Sequence, residues 1–424
     1  MMINRLAAIA LAGTALVPLA ATETWAQAVC SDTVKILAQP RDGLTLLDEQ
    51  ADEFEELSGA DYQIDYLNEN DRRAKSKADA STIGTYNVYY IDEANVALFA
   101  KSKWVEPLLD WYPKDYDFED FDPGMRKVAT VDDVPYFAPL TGGGDMFVYR
   151  KDLFEKAGIQ PPTTVEELKA AAAKLNDPDN GVYGIGLRGG RGSGANVWRW
   201  MPYFRGYGGQ WFVDGKPAFN SDAAVKATQD YLELFKYSPP GTQTGNWDES
   251  TGAFLAGSVA MIVESSPLGA MTVDPRLSTV ADKVDFAAPP KPLTGGGYAH
   301  GFAIATKANA DDAAKKCAAL WIAWATSKEN EKRRLDNDQF TELTRTSIMN
   351  SEEFKQKMGP DLARGLAESA PATTVNFWQD PNWPALGDRW GILLEELIVG
   401  TRTDIKGSLD ELEGYAKELV AGNQ

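Results

Sequence analysis

Histidine occurs once in this 424-residue chain, at position 300, and cysteine twice, at 30 and 317. A histidine-dependent nucleophile triad therefore has a single imidazole to draw on, and no cluster with the His/Cys spacing of a metal site exists. Asp and Glu are abundant, but no motif selects a pair for glycoside cleavage. Neither an enzyme nor a cofactor is expected. Basic residues are scarce too: 42 Lys and Arg stand against 62 Asp and Glu, for a formal net charge of −20. Such a field repels nucleic acid and anionic lipid and keeps an exported protein dispersed, and a monomer is expected. Beyond residue 28 no stretch approaches ~20 uninterrupted apolar residues, so no membrane insertion is expected.

What is present begins with "MMINRLAAIALAGTALVPLAATETWAQA". Arg5 precedes an apolar stretch broken by Pro18, and Ala26-Gln27-Ala28 forms a small-x-small cleavage pattern. Residues 1–28 read as a secretory signal peptide. Val29 rather than a small residue precedes Cys30, which argues against lipidation and for free residence in a Gram-negative type of periplasm. The remainder is too long for one core, so two domains are expected. In an oxidising compartment Cys30 and Cys317 are expected to pair. The competing reading is a buried thiol, because Cys317, Leu320, Trp321 and Trp324 share one helix face.

From Thr33, "TVKILAQ" reads as a strand. One amphipathic helix follows, with Leu47, Ala51 and Phe54 on a face and Gly59 just past its end. A second strand, "YQIDYLN", a polar helix and a third strand, "TYNVYYID", come next, the last suited to being covered on both faces. This alternation means a parallel α/β sheet, whose ligands bind beyond the carboxyl ends of the strands. That rule points to Gln39, Arg41 and Asp42 after the first strand and to Asp92 and Glu93 after the third. After Tyr149 two helices are joined by a Pro-Pro turn, with capping-box spacing at Thr163/Glu166 and Thr164/Glu167. A glycine- and aromatic-rich tract delays the next helix to about Val197. "VAMIVESS" reads as a short buried strand, 302–306 as another and 313–324 as a helix.

Two glycine runs, "APLTGGGDMFVYR" and "KPLTGGGYAHGFAIA", sit in matching contexts, as paired crossings between two α/β lobes would. A phosphate cradle would need Gly-Lys-Ser/Thr opening a helix. Here Asp145 and a strand, "MFVYR", follow Gly144 instead.

The stretch "MFVYRKDLFEKAGIQPPTTVEEL", with "AFLAGSVAMIVESS", "GGGYAHGFAIATKA" and "ELTRTSI", resembles the family 1 extracellular solute-binding proteins of ABC importers, which have a maltose-binding-protein-like fold. The likeness spans nearly all of the chain after residue 28. Arg150 stands where the family usually has Asn, Val165 where it has Trp and Leu343 where it has Pro. The resemblance implies a class II periplasmic binding fold, two α/β lobes joined by a hinge with the ligand cleft between them. Lobe I is then 29–140 plus 295–345 and lobe II 141–294 plus 346–424, which sets Cys30 and Cys317 in one lobe.

A sugar, sugar alcohol or small glycoside is the implied ligand and the ABC permease the implied partner. Such ligands need planar hydrogen-bonding groups for their hydroxyls and flat apolar faces for their C–H surfaces. The first lobe offers Gln39, Arg41, Asp42 and Asp92. The second offers Asp145, Asn196, Glu264 and Ser266, with Gly143 at the first glycine run and Tyr298 and His300 at the second. Among twelve tryptophans, Trp198, Trp200, Trp211, Trp247, Trp378, Trp383 and Trp390 lie in loop-like or Gly/Pro-rich contexts, and Trp198, Trp247, Trp378 and Trp383 are favoured because the family sets second-lobe aromatics against the sugar. Arg345 could fork onto an acceptor or fix the hinge. "GLRGGRGSGANVWRWMPYF" resembles polyol- and sugar-binding members, which favours a small neutral ligand. Arg41, Arg199 and Arg345 keep an anionic sugar, a uronate or sulfonate, open. A polyamine- or iron-binding protein of similar architecture and a secreted carbohydrate-active enzyme are the remaining alternatives.

Overall fold

A computed structural model describes residues 30–422 except 114, 115, 193, 194 and 339–341. The expected signal peptide lies outside the described residues. Ten strands are used below: β1 Val34–Ala38, β2 Tyr62–Tyr66, β3 Val88–Asp92, β4 Ala138–Gly143, β5 Asp145–Arg150, β6 Met261–Ser265, β7 Val284–Ala287, β8 Gly295–Gly296, β9 Tyr298–Ile304 and β10 Thr373–Thr374.

The first sheet has the order β2-β1-β3-β9-β4. β1 runs parallel to β2 and β3, whereas β9 is antiparallel to both β3 and β4. All five residues of β3 are buried. Val88 and Tyr90 pack on one face with Ile36, Phe302 and Trp321, and Tyr89 and Ile91 pack on the other with Phe99, Met125 and Phe137. A strand with four consecutive apolar or aromatic residues, Val88 to Ile91, is stable only where both faces are covered, and this one is.

The helix expected after β1 is broken. It forms two helices, Asp42–Asp48 and Ala51–Ser58, the second closed by Gly59 in the left-handed conformation at φ 80°. Leu47 and Phe54 are buried, whereas Ala51 is exposed. On the helix Asp312–Ala325, Cys317, Leu320, Trp321 and Trp324 are all buried, and Cys317 is bridged to Cys30 with Cα atoms 5.4 Å apart.

The second sheet, β6-β5-β7, is antiparallel throughout. Beside it lies a helical layer whose core holds Trp200, Phe204, Trp211, Trp383 and Trp390. Trp198, Trp200, Trp383 and Trp390, read as lying in loop-like contexts, stand instead on the helices Asn196–Gly206 and Trp383–Val399.

The chain passes between the sheets three times. Gly144 alone separates β4 from β5, and Gly297 alone separates β8 from β9. A third passage runs through Thr346–Met349 into the helix Glu352–Ser369, which packs on β7 and β5. β8 pairs in parallel with β10. β9 therefore begins at Tyr298, four residues before the expected start at 302, because pairing with β4 resumes as soon as the glycines are passed.

Candidate binding cleft

The glycine run at 142–144 is explained by close approach on three sides. A Cβ on Gly142 would fall on the Met125 side chain, one on Gly143 on Ser266 Oγ, and one on Gly144 on the Thr373 side chain, each at well under 3.0 Å. No single small residue type other than glycine serves all three. In the second run, a Cβ on Gly296 would meet Asp145 Oδ2 at 2.8 Å and Trp198 Cζ2 at 3.1 Å.

Asp145 ties the two crossings together. It is fully buried, accepts from the Gly296 backbone N–H at 2.6 Å through Oδ2 and from Arg199 Nη2 at 2.7 Å through Oδ1. Burial pushes its carboxyl above the ordinary value despite Arg199. Glu264, also fully buried, takes Arg188 Nε at 2.8 Å, Arg188 Nη2 at 2.6 Å and the Ser265 N–H at 2.7 Å. Burial opposes its charge, but Arg188 and Arg199 hold the carboxyl below its usual range. Both acids are thus committed to protein partners, Glu264 to Arg188 and Asp145 to Arg199 and the second crossing.

At the carboxyl ends of β1 and β3 the first lobe presents a polar rim. Arg41 Nη1 lies 3.2 Å from Glu342 Oε1. Asp92 Oδ2 receives Arg72 Nη2 at 2.6 Å and Arg73 Nε at 2.7 Å, while its Oδ1 receives Asn95 Nδ2 at 2.7 Å. Burial opposes charge on Asp92, yet Arg73, Arg72 and His300 hold it well below the carboxylate range. Arg73 also pairs with Glu69 at 2.8 Å.

His300, on β9, stands opposite Asp92 in the ladder, with the rings of Tyr90 and Tyr298 edge-on at 5.9 and 5.6 Å. Its Nε2 is 3.2 Å from Glu93 Oε2. Tyr298 in turn meets Trp198 of the second lobe edge-on at 6.4 Å, so Glu93, His300, Tyr298 and Trp198 run as one chain of contacts between the two lobes.

Four buried acceptors on this surface and in the facing lobe have no hydrogen-bond partner: Gln39 Oε1, Glu93 Oε2, Asn95 Oδ1 and Asn196 Oδ1. His300 Nδ1 and the donors Arg41 Nε, Arg72 Nε and Arg199 Nε are likewise unpartnered. Of these, Gln39, Glu93 and Asn95 lie just past the ends of β1 and β3, where ligands of such sheets bind.

Other sequence candidates fall elsewhere. Arg345 is buried, with Nη2 donating to Thr326 O at 2.6 Å, Nη1 donating to Asp117 O and the guanidinium 3.7 Å from the Phe121 ring centroid. It is a scaffold group with its donors turned into the first lobe. Trp383 sits 1% exposed in the second-lobe core against Trp211, and Trp378 packs on Phe212 at 4.2 Å. Trp247 opens the helix Trp247–Leu255, with Arg188 5.1 Å above its ring. Asn196 donates to Gly189 O and Gly391 O, and Ser266 donates its backbone N–H to Gly144 O. Asp42 opens its helix.

Gly143, Asp145 and Ser266 line a separate cavity of about 590 Å³ beside the crossings, with Met125, Phe354 and Met358. None of Gln39, Arg41, Asp92, Trp198 or His300 borders it. Sequence reasoning ranked Asp92 over Glu93 and passed over Asn95 and Arg188, because adjacent acids in one loop look alike until the arginines that neutralise one of them are placed.

Two α/β lobes, the strand order β2-β1-β3-β9-β4, glycine crossings and a polar cleft at the strand ends define a class II periplasmic binding fold, a carrier architecture. The chain belongs to the bacterial extracellular solute-binding proteins, whose family model matches residues 38–332. It is 30% identical over 375 residues to a mannitol-binding protein of Pseudomonas aeruginosa, covering 83% of this chain and 85% of that one. Among solved structures, it is similar to a solute-binding protein of Agrobacterium vitis S4 with bound D-mannitol, at TM-score 0.81 and 28% identity, covering 93% and 99% of the two chains. A solute-binding protein of Agrobacterium radiobacter K84 in complex with ribitol gives TM-score 0.80 and 27% identity, covering 92% and 99%. Among the described residues no helix is long and apolar enough to cross a membrane.

Proposed function

We propose that this protein captures a small, uncharged polyhydroxylated solute, a sugar alcohol or sugar, between its lobes and delivers it to the membrane permease of an ABC importer. One observation carries the ligand class. The cations at the cleft are matched by acids, Arg41 by Glu342, Arg72 and Arg73 by Asp92, Arg188 by Glu264 and Arg199 by Asp145, while acceptors at the ends of β1 and β3, Gln39 Oε1, Glu93 Oε2 and Asn95 Oδ1, are left open. Acceptors without partners suit a ligand rich in hydroxyl donors. The relatives with bound mannitol and ribitol support the same class.

Gln39, Arg41, Trp198, Tyr298 and His300 are the contact residues we favour among the sequence candidates. The lobes divide at 29–140 plus 295–345 and 141–294 plus 346–424, hinge rotation closes them on the ligand, and the carrier works as a periplasmic monomer. Titration calorimetry of the purified protein against mannitol, ribitol, other polyols, mono- and disaccharides and sugar acids tests the reading. Binding of a polyol or sugar supports it, and binding only of an amine or a metal ion refutes it. A sugar acid is the second reading, favoured by the unpartnered cationic donors Arg41 Nε, Arg72 Nε and Arg199 Nε.

A further inference from the structure

The only imidazole of the chain is placed in this cleft, 6% exposed, beside a carboxylate that is 5% exposed. Nε2 of His300 and Oε2 of Glu93 are 3.2 Å apart, yet Glu93 Oε2 and His300 Nδ1 both lack a hydrogen-bond partner. The neighbouring acid Asp92 differs in every respect that matters: its oxygens take Arg72, Arg73 and Asn95. Of the two acids that end β3, therefore, one is neutralised and spent, and the other retains an open oxygen.

Leaving a buried carboxylate oxygen and a ring nitrogen unpaired is costly. A protein retains such a cost where a ligand relieves it.

We propose that Glu93 and His300 are the specificity-determining pair of the cleft: at neutral pH they accept hydrogen bonds from uncharged hydroxyls and exclude carboxylates, and imidazole protonation removes that preference. This rests on the carrier reading above and says which polyhydroxylated ligands it takes. A neutral imidazole offers Nδ1 as an acceptor when Nε2 carries the proton, so the pair presents two acceptors and a negative charge. A sugar alcohol donates to both. A sugar acid presents a carboxylate, a group with no proton to donate, against Glu93, with Asp92 and Glu69 close enough to act on His300 electrostatically.

Imidazole is the side chain that ordinarily changes charge between pH 5 and 8. Once protonated, it becomes a donor at both nitrogens and a counter-ion for Glu93, and the discrimination against carboxylates falls. The groups around the imidazole are Glu93, Asp92 and Tyr90 from β3 and its following loop, Glu69, Arg72 and Arg73 from the helix Glu69–Ser81, and Tyr298 on its own strand. Arg72 and Arg73 are bound to Asp92, which leaves Glu93 as the nearest acid for the imidazolium.

The test is calorimetric titration of wild type, E93Q and H300Q with D-mannitol, ribitol and D-gluconate at about pH 8 and about pH 5.5. The read-out is the ratio of neutral to acidic affinity. Wild type should prefer the polyol at the higher pH and lose at least about tenfold of that preference at the lower one. E93Q should lose the preference at both pH values, by about 10- to 100-fold, and H300Q should retain one ratio across the range. An unchanged ratio in E93Q, or a pH-dependent ratio surviving in H300Q, overturns the inference while leaving the carrier reading standing. If neither neutral probe binds, the neutral ligand found in the wider screen replaces them, and wild type that binds none of the polyols and sugars of that screen overturns both. Thermal melts establish that the variants fold, and E93D replaces E93Q if it does not, with the same ratio expected to shift if the placement of the open oxygen matters.

Discussion

Replacing Gly143 by alanine adds one carbon where β4 ends, and the structure states what that carbon meets. Its position lies well inside 3.0 Å of Ser266 Oγ and 3.5 Å from Tyr298 Cε1, and the backbone there has φ +156°. The crossing must give by roughly 1 Å, because ordinary carbon–oxygen contacts begin near 3.4 Å. It cannot give freely. Ser266 donates its N–H to Gly144 O at 2.8 Å, and the flanking glycines are hemmed in by Met125 and Thr373. Overpacking of this kind costs about 1–3 kcal/mol, with about 1 kcal/mol more for the backbone. Gly143→Ala should therefore lower the thermal midpoint by several degrees and weaken ligand binding.

A mutant cycle with Ser266→Gly isolates the cause, because removing the hydroxymethyl group removes the obstacle. The two substitutions should be coupled by at least about 1 kcal/mol in the stabilising direction, read from urea unfolding of all four proteins. Additive effects, or a Gly143→Ala variant as stable as wild type, would refute close packing as the reason for the glycine.

Arg345→Ala should cost about 2–4 kcal/mol of stability, since it strips Thr326 O and Asp117 O of a buried donor, while affinities for neutral and acidic probes change equally and little. A selective loss for the acidic probe would return Arg345 to the cleft. Cys30→Ser with Cys317→Ser opens a link spanning 287 residues and should lower stability by up to about 5 kcal/mol, seen also as a thermal midpoint that falls with reductant in wild type alone. Asp92 titrates well below its unfolded value, so its stabilisation is present above about pH 4 and is lost as pH falls through the folded pKa. Asp92→Asn should accordingly flatten the acid limb of urea midpoints below about pH 4. It should also cost about 3–5 kcal/mol at neutral pH, where it leaves Arg72 buried without its counter-charge. An unaltered acid limb would contradict the assignment.

Strands and helices were legible where burial follows a local period. The apolar run Val88 to Ile91 in "VYYID" had to be covered on both faces, and the face shared by Cys317, Leu320, Trp321 and Trp324 is buried as a unit. The tryptophans were harder. Glycine and proline around Trp198 and Trp383 suggested loops, but Pro384 stands in the first turn of its helix and Asn196 starts the other only two residues before Trp198. Composition near a helix end resembles that of a loop, because both must satisfy backbone groups without a preceding turn.

By itself the sequence determined that the chain is acidic and α/β in two lobes, with one histidine and two cysteines, and that its glycine runs mark places where backbone comes close to something. Only the tertiary structure decided what that something is, and which polar groups remain open. Whether an acid such as Asp92 or Glu93 faces a ligand depends on arginines twenty residues away along the chain and on an antiparallel strand two hundred residues further on. Charge and hydrogen bonding are settled over a few ångströms of space, and sequence distance carries no measure of that space.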